Sequence, residues 1–514
     1  MDAAAAPPTA ARAEPTAEAS TGAPAAVPAD LRPGVPAGAP ASDRLPREHV
    51  TVIALLLVAA FVVILNETTM GVALPPIMED LGVTAATGQW LTTVFMLTMA
   101  VVIPTTGFLL QRIGTRGSYL VAMSLFTAGT LLAALAPGFG VLVTARVVQA
   151  SGTAIMMPLL MTTVMNIVPP HHRGRVMGNV SLVIAAAPAM GPTLSGAVLE
   201  PLGWRGVFGV VLPISAAALV LGAVKVRDVS DRARKRLDLP SVLLSAVGFG
   251  SLIFGLSALG EGGASPVPPA VPLVLGTVVL ALFAWRQTAL QRADDALLDL
   301  RVFASRGFST GLAALAVSML AMFGALILLP LILQDALGLE PLATGLLVLP
   351  GGLAMGLLGP VVGNLYDRVG PRPLVIPGAV LVIVAMAGMA TVHADTSWGF
   401  VLAAHVVLSL GLSLLFTPLF TTALGSLTPR FYSHGSAAIG TVQQLAGAAG
   451  TAMFVALFSI RSEALLADGA GTAEALTGGA RLAFVVGAAV MVLAIVVGST
   501  LRKPAEAPAG HGAH

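Results

Sequence analysis

Glu67 and Arg146 stand out as one acid and one base set well inside long apolar runs, away from every loop. An ionisable side chain at mid-bilayer depth costs at least about 2.5 to 3.5 kcal/mol, so function is its default reading. A buried carboxyl whose distance from a guanidinium changes can gain or lose a proton, which is the chemistry of a proton carrier. A structural ion pair between the two is the competing account. Arg146 taken alone also has a bland reading, an interior arginine that satisfies helix carbonyls. Asn66 directly precedes the acid, and Gln149 lies one turn beyond the base. His405, in a late apolar run, has a side chain that titrates near neutrality, although a hydrogen-bonded interior histidine is the simpler interpretation.

Other polar or soft residues carry less. Gln443 and Gln444 are adjacent, so they cannot both face one cavity. Met156, Met157, Met161 and Met165 suit ordinary packing better than a compliant binding surface. His171 and His172 sit in a basic loop, where solvation is expected. Cysteine is absent, which excludes disulfides and thiolate chemistry. None of the three lysines completes a G-x-x-x-x-G-K-[ST] phosphate loop, and no H-E-x-x-H pair occurs, so nucleotide-driven or zinc-hydrolase chemistry has no support. No cofactor is expected.

The elements that must hold these residues follow from composition. The chain has 514 residues, 56% hydrophobic and only 10% charged, whereas soluble domains carry about a quarter charged residues. Its net charge of +2, with no basic stripe, argues against a nucleic-acid partner. Apolar runs of about 20 residues recur, long enough to cross roughly 30 Å of hydrocarbon, and their lack of alternation makes them helices. The partner of such a chain is the lipid bilayer.

Fourteen spans are expected. Six run at Thr51–Leu74, Gln89–Leu110, Gly117–Ala136, Gly140–Ile167, Gly174–Leu199 and Gly206–Val224. Two plainer ones follow at Leu239–Leu259 and Val267–Trp285, then a polar, interfacial segment to Arg306. The last six lie at Phe308–Leu333, Ala343–Leu365, Leu374–Val392, Trp398–Leu424, Ser436–Ile460 and Leu482–Val497. The organisation is an all-α integral membrane protein. A tail at 1–48 reads as disordered, a six-helix bundle occupies 49–226, a linker with two extra spans 227–305, a second six-helix bundle 306–501 and a second tail 502–514. Nearly all loop arginines, among them Arg112, Arg116, Arg173, Arg175, Arg368, Arg372 and Arg430, fall on one side. That side should be cytoplasmic, with both termini on it.

Two loops repeat one another: GFLLQRIGTR from Gly107 and GNLYDRVGPR from Gly363. Parallel repeated halves mark one class of secondary transporter, with its substrate site between them. Here the chain resembles the major facilitator superfamily, and within it the fourteen-span drug:proton antiporters. The resemblance runs from the first span to the last. In the second loop Gly363, Asp367, Arg368, Gly370 and Arg372 fit the family's G-x-L-x-D-R-x-G-R-[KR] pattern; in the first, Gly107, Arg112, Gly114 and Arg116 fit, but Gln111 replaces the acid. An ionic latch there should be weakened or rebuilt. LVTARVVQASG around Arg146 and Gln149 looks like the conserved-arginine motif of the fourth span. APAMGPTLSG, with Pro188, Gly191, Pro192 and Gly196, is similar to the antiporter motif of the fifth, and Trp204 with Arg205 matches a W-R pair. These small residues suit close packing and a bend. LNETTMGVALP places Asn66 where the family has Asp, with Glu67 one residue on and about 100° around the helix. The resemblance implies a proton-coupled exporter of drugs or other amphipathic small molecules, working by alternating access as a monomer in a bacterial plasma membrane and driven by the proton gradient. An uncoupled uniporter, importer or metabolite exporter is the alternative.

Overall fold

A computed structural model describes residues 46–229, 237–260, 267–393 and 395–504. The tail at 1–45, most of the basic stretch 230–236 and the end from 505 lie outside the described residues. Within them the regular structure is all helical: α1 Arg47–Leu81, α2 Ala85–Ala134, α3 Phe139–Ile167, α4 Arg173–Lys225, α5 Leu239–Gly260 and α6 Ala270–Leu290. Then come α7 Arg306–Leu331, α8 Pro341–Val369, α9 Arg372–Met389, α10 Trp398–Gly425, α11 Tyr432–Ala467 and α12 Thr472–Gly498.

Twelve helices among the described residues are long and apolar enough to cross a membrane, not the fourteen expected. The difference lies in α2 and α4, which run on for 50 and 53 residues through Gly114 and Gly203. At about 1.5 Å per residue each would measure roughly 75 to 80 Å, far beyond a bilayer core of about 30 Å. Both glycines leave helical geometry, with φ 76°, ψ −179° at Gly114 and φ 64°, ψ −177° at Gly203, a region that side chains with a Cβ avoid. Gly370, the counterpart of Gly114 in the repeated loop, has φ 79° and ψ −172°, and there α8 ends. The two loop copies therefore share one backbone corner.

α1 to α4 pack on one another, and α7 to α12 do the same. The two sets meet along two seams, α4 against α8 and α2 against α11, with α5 lying on both α2 and α11 and α6 behind it. The outward face of α6 is apolar and open, with Val274 64% and Trp285 70% exposed, which suits lipid rather than water.

The segment between α6 and α7 differs from expectation. It is not polar surface throughout: Ala296, Leu297, Leu298, Asp299 and Val302 are all buried. Gln287, fully buried, accepts from the backbone N–H groups of Leu297 and Leu298 and donates to Ser241 at 2.7 Å. Arg286 grips Asp238 through two bonds of 2.7 and 2.8 Å. Those bonds first, with burial opposing and Ser241 helping, push the Asp238 carboxyl down to about 2. The tie between the ends of α5 and α6 is therefore complete above the ordinary carboxylate range, near pH 4, and is lost only as pH falls through about 2.

Candidate functional site

Arg146 on α3 is 1% exposed. Its Nη1 donates to Gln149 Oε1 at 2.6 Å, its Nε to the Leu91 carbonyl at 3.4 Å, and its guanidinium lies 4.0 Å from the Phe95 ring centre. Gln149 donates to the Thr130 hydroxyl at 2.9 Å, and Thr130 donates to the Phe126 carbonyl. The base is thus held by α2 and by its own helix. The reading that gave it only carbonyl partners captures part of this arrangement. Thr130 was not marked by sequence, since nothing distinguishes it from other threonines in apolar runs.

Glu67 on α1 is partly exposed, and it forms neither a hydrogen bond nor an ion pair within 4 Å among the described residues. It lies close enough to Arg146 for each charge to act on the other. The structural ion pair considered from sequence is therefore absent. α1 also continues seven residues past the expected boundary at Leu74, through Pro75 and Pro76 to Leu81, which sets Glu67 about 20 Å from that helix end. Asn66 is 1% exposed and both polar atoms of its amide lack partners. The position at which the resemblance puts the family's acid is closed off here, while the next residue keeps part of its surface accessible.

The fifth-span motif backs this acid. A Cβ at Gly191 would lie 2.1 Å from the Thr68 hydroxyl, and Ser195 donates to the Thr69 carbonyl at 3.1 Å. Gly196 meets no such neighbour. Residues 188–196, Pro188 and Pro192 included, keep helical dihedrals, so this stretch gives close packing without a break. His405 is not brought to Glu67. Its Nε2 lies 3.2 Å from the Val348 carbonyl, within the α8–α10 contact. Gln443 points to Met319 on α7 and Gln444 to Met99 on α2, so the two do face different neighbours. Met156, Met161 and Met165 are buried.

At the basic end the repeated loops clasp opposite halves. Asp367 accepts from the backbone N–H groups of Gly174 at 2.8 Å and Arg175 at 2.9 Å, capping the start of α4. Gln111 instead donates to the Ser433 hydroxyl at 2.8 Å and to the Arg430 carbonyl at 3.4 Å, at the start of α11. The latch is rebuilt there with neutral groups. Arg116 donates to the Ala223 carbonyl; Arg368 and Arg372 are exposed. Two further bonds cross between halves nearby, Thr162 to Ser436 at 3.1 Å and Ser181 with Thr417 at 2.7 Å. At the other end α1 makes no substantial contact with any helix after α6. There the W-R pair closes on one acid: Asp80 accepts from Trp204 Nε1 at 2.9 Å and from Arg205 Nη1 at 2.8 Å. Lys503, expected in a loose tail, donates to the Asp367 carbonyl at 2.7 Å.

Asp367→Asn should loosen the basic end, because an amide offers one acceptor oxygen and leaves one α4 N–H without its partner. A lost charged hydrogen bond is worth about 1.5 to 3 kcal/mol. In a chain with no native cysteine, maleimide labelling of Ser181→Cys should rise several-fold when Asp367→Asn is added; unchanged labelling would remove the latch role.

The model of the Major Facilitator Superfamily matches residues 56–451. The chain belongs to the major facilitator superfamily. Its relatives include the "Lincomycin resistance protein LmrB" of Listeria monocytogenes, 38% identical over 88% of this chain and 97% of that protein. The "Multidrug resistance protein B homolog" of Mycobacterium tuberculosis is 31% identical over 76% of this chain and 73% of its own length. Among solved structures, the human organic anion transporter MFSD10 superposes with a TM-score of 0.62 at 15% identity, covering 88% of this chain and all of that one. The proton:xylose symporter XylE gives 0.58 at 14%, over 88% and 95%. This member of the superfamily is a multi-pass membrane transporter and not an enzyme.

Proposed function

We propose that the chain exports lincosamides and other amphipathic small molecules across a bacterial plasma membrane in exchange for protons. The carrying observation is Glu67, an acid deep in α1 that is partly exposed and unpaired while Arg146 beside it is occupied by Gln149. Such an acid can load and release a proton as its surroundings change. Relatives named for lincomycin and multidrug resistance support the cargo class.

The membrane path in this reading has fourteen crossings. Gly114 carries the same corner as Gly370, where one helix ends and another begins, and Gly203 carries a third. Each of the two overlong helices then counts as a hairpin, giving two bundles of six with α5 and α6 inserted. The basic end faces the cytoplasm, both termini lie there, and the clasped state is the outward-facing member of an alternating pair. The working unit is a monomer.

In proteoliposomes with an imposed pH gradient, both lincomycin and ethidium should accumulate against their gradients, with protons moving the opposite way. Equal accumulation with the gradient collapsed would overturn proton exchange and favour an uncoupled carrier.

A further inference from the structure

A cavity of about 520 Å³ opens at the basic end, directly beneath the Gln111 side of the clasp and away from the Asp367 side. Its size falls in the range of about 300 to 1,000 Å³ usual for drug-sized ligands. The walls offer neutral hydrogen-bonding groups from both halves: Gln111, Thr162, Thr163 and Asn166 from α2 and α3, and Ser433 from α11. Thr163 is 1% exposed and its hydroxyl has no hydrogen-bond partner. Among the described residues Thr127 on α2 shares that condition, while most helical threonines do not. Thr153 on the same helix and Thr441 on α11 both return their hydroxyls to the carbonyl four residues back. A buried hydroxyl without a partner costs about 1 to 3 kcal/mol, which a ligand's polar group would recover.

The charged groups at the rim are committed to one another. Arg301 binds Asp299 and Asp294, and Arg430 binds Asp294. Burial works against ionisation of Asp299, but the hydrogen bonds from Arg301 outweigh it and hold the carboxyl below its usual range. What remains for a ligand is mainly amide and hydroxyl chemistry, beside the His434 imidazole, whose Nδ1 accepts from the Asp299 N–H at 3.4 Å. The bonds that roof the cavity are of the same kind: Gln111 to Ser433, and Thr162 to Ser436. A solute rich in hydroxyls can exchange such neutral bonds at little net cost, whereas the twin charge-assisted bonds at Asp367 offer no such exchange.

We infer that this cavity is a loading site for a polyhydroxylated, sugar-like part of the cargo, which it receives beneath the neutral clasp before the two halves separate there. The inference rests on the export reading for its direction, but binding tests it separately from transport. Calorimetry on the purified full chain would use lincomycin, an amino-sugar amide with several hydroxyls, and tetraphenylphosphonium, a cation with none. Thr163→Val and Asn166→Ala should each raise the lincomycin Kd roughly tenfold, about 1.4 kcal/mol, with the tetraphenylphosphonium Kd within about twofold. Thr163→Ser, which keeps the hydroxyl, should bind lincomycin as the wild type does. Absent lincomycin binding, unchanged binding in both variants, or equal weakening for the two probes would each overturn the site. Selective weakening in a chain that moves no protons would leave the site standing and sink only proton exchange.

Discussion

Glu67→Gln should reduce pH-driven accumulation of lincomycin and ethidium in proteoliposomes to that of empty vesicles, while downhill counterflow of either solute continues. The amide keeps the size and polarity of the side chain but carries no exchangeable charge, so a loss confined to uphill movement isolates proton coupling. A variant that still concentrates solute would refute Glu67 as the carrier. The exchange Asn66→Asp with Glu67→Asn sharpens the test. It restores the family's usual position for the acid, but in this chain residue 66 is 1% exposed and offered no partner. A carboxylate there is costly by several kcal/mol unless it is neutralised. The double variant should therefore remain inactive for uphill transport and melt below the single variant.

The second large effect is expected at the seam of α4 and α8. A Cβ at Gly178 would stand 2.3 Å from the Gly359 carbonyl oxygen, one at Gly359 2.5 Å from that of Gly178, and one at Gly363 2.0 Å from that of Gly174. These contacts are backbone to backbone, and backbone cannot turn aside as a side chain can. Overpacking commonly costs about 1 to 3 kcal/mol, and here the strain falls on the surface where the halves meet. Gly178→Leu should abolish proton-driven export and make Ser181→Cys reactive to maleimide. On the other seam, a Cβ at Gly440 meets side chains alone, Ile103 Cγ2 nearest at 3.0 Å and Pro158 Cγ at 3.9 Å, so Gly440→Ala should keep most of its export. Comparable losses in both variants would mean that the seams do not differ in this way.

Much of the fold was legible because apolar length and loop charge are properties of sequence alone. The repeat in the two loops was legible as well, down to the glycines that turn out to share one corner. The site was legible as a set of residues and less so as a geometry. Sequence singles out Glu67 and Arg146 as the embedded acid and base, but α1 outruns its apolar stretch by seven residues, to Leu81. Spacing also shows Gln149 one turn from Arg146, yet only coordinates show that it occupies the guanidinium and leaves the acid unpaired. The segment after α6 misled for a physical reason. Its Asp294, Asp299 and Arg301 read as part of a polar, interfacial stretch, but they neutralise one another, so the backbone around them can be buried. Asp80 was hidden similarly, since its partners Trp204 and Arg205 are more than a hundred residues away.

The difference between the two seams has a mechanical consequence. Along α4 and α8, Gly174, Gly178, Gly359 and Gly363 bring main chains into direct contact, whereas along α2 and α11 the approach is looser, with a Cβ at Gly107 clearing the Ser433 carbonyl by 3.2 Å and one at Gly440 the Ile103 side chain by 3.0 Å, and α5 lies across the join. Two rigid covers bound tightly at one edge and loosely at the other swing about the tight edge, as a book turns on its spine. In the alternating motion proposed for this chain the spine would barely shift while the fore-edge travels furthest, and α5, packed on both covers there, would have to give way on at least one of them.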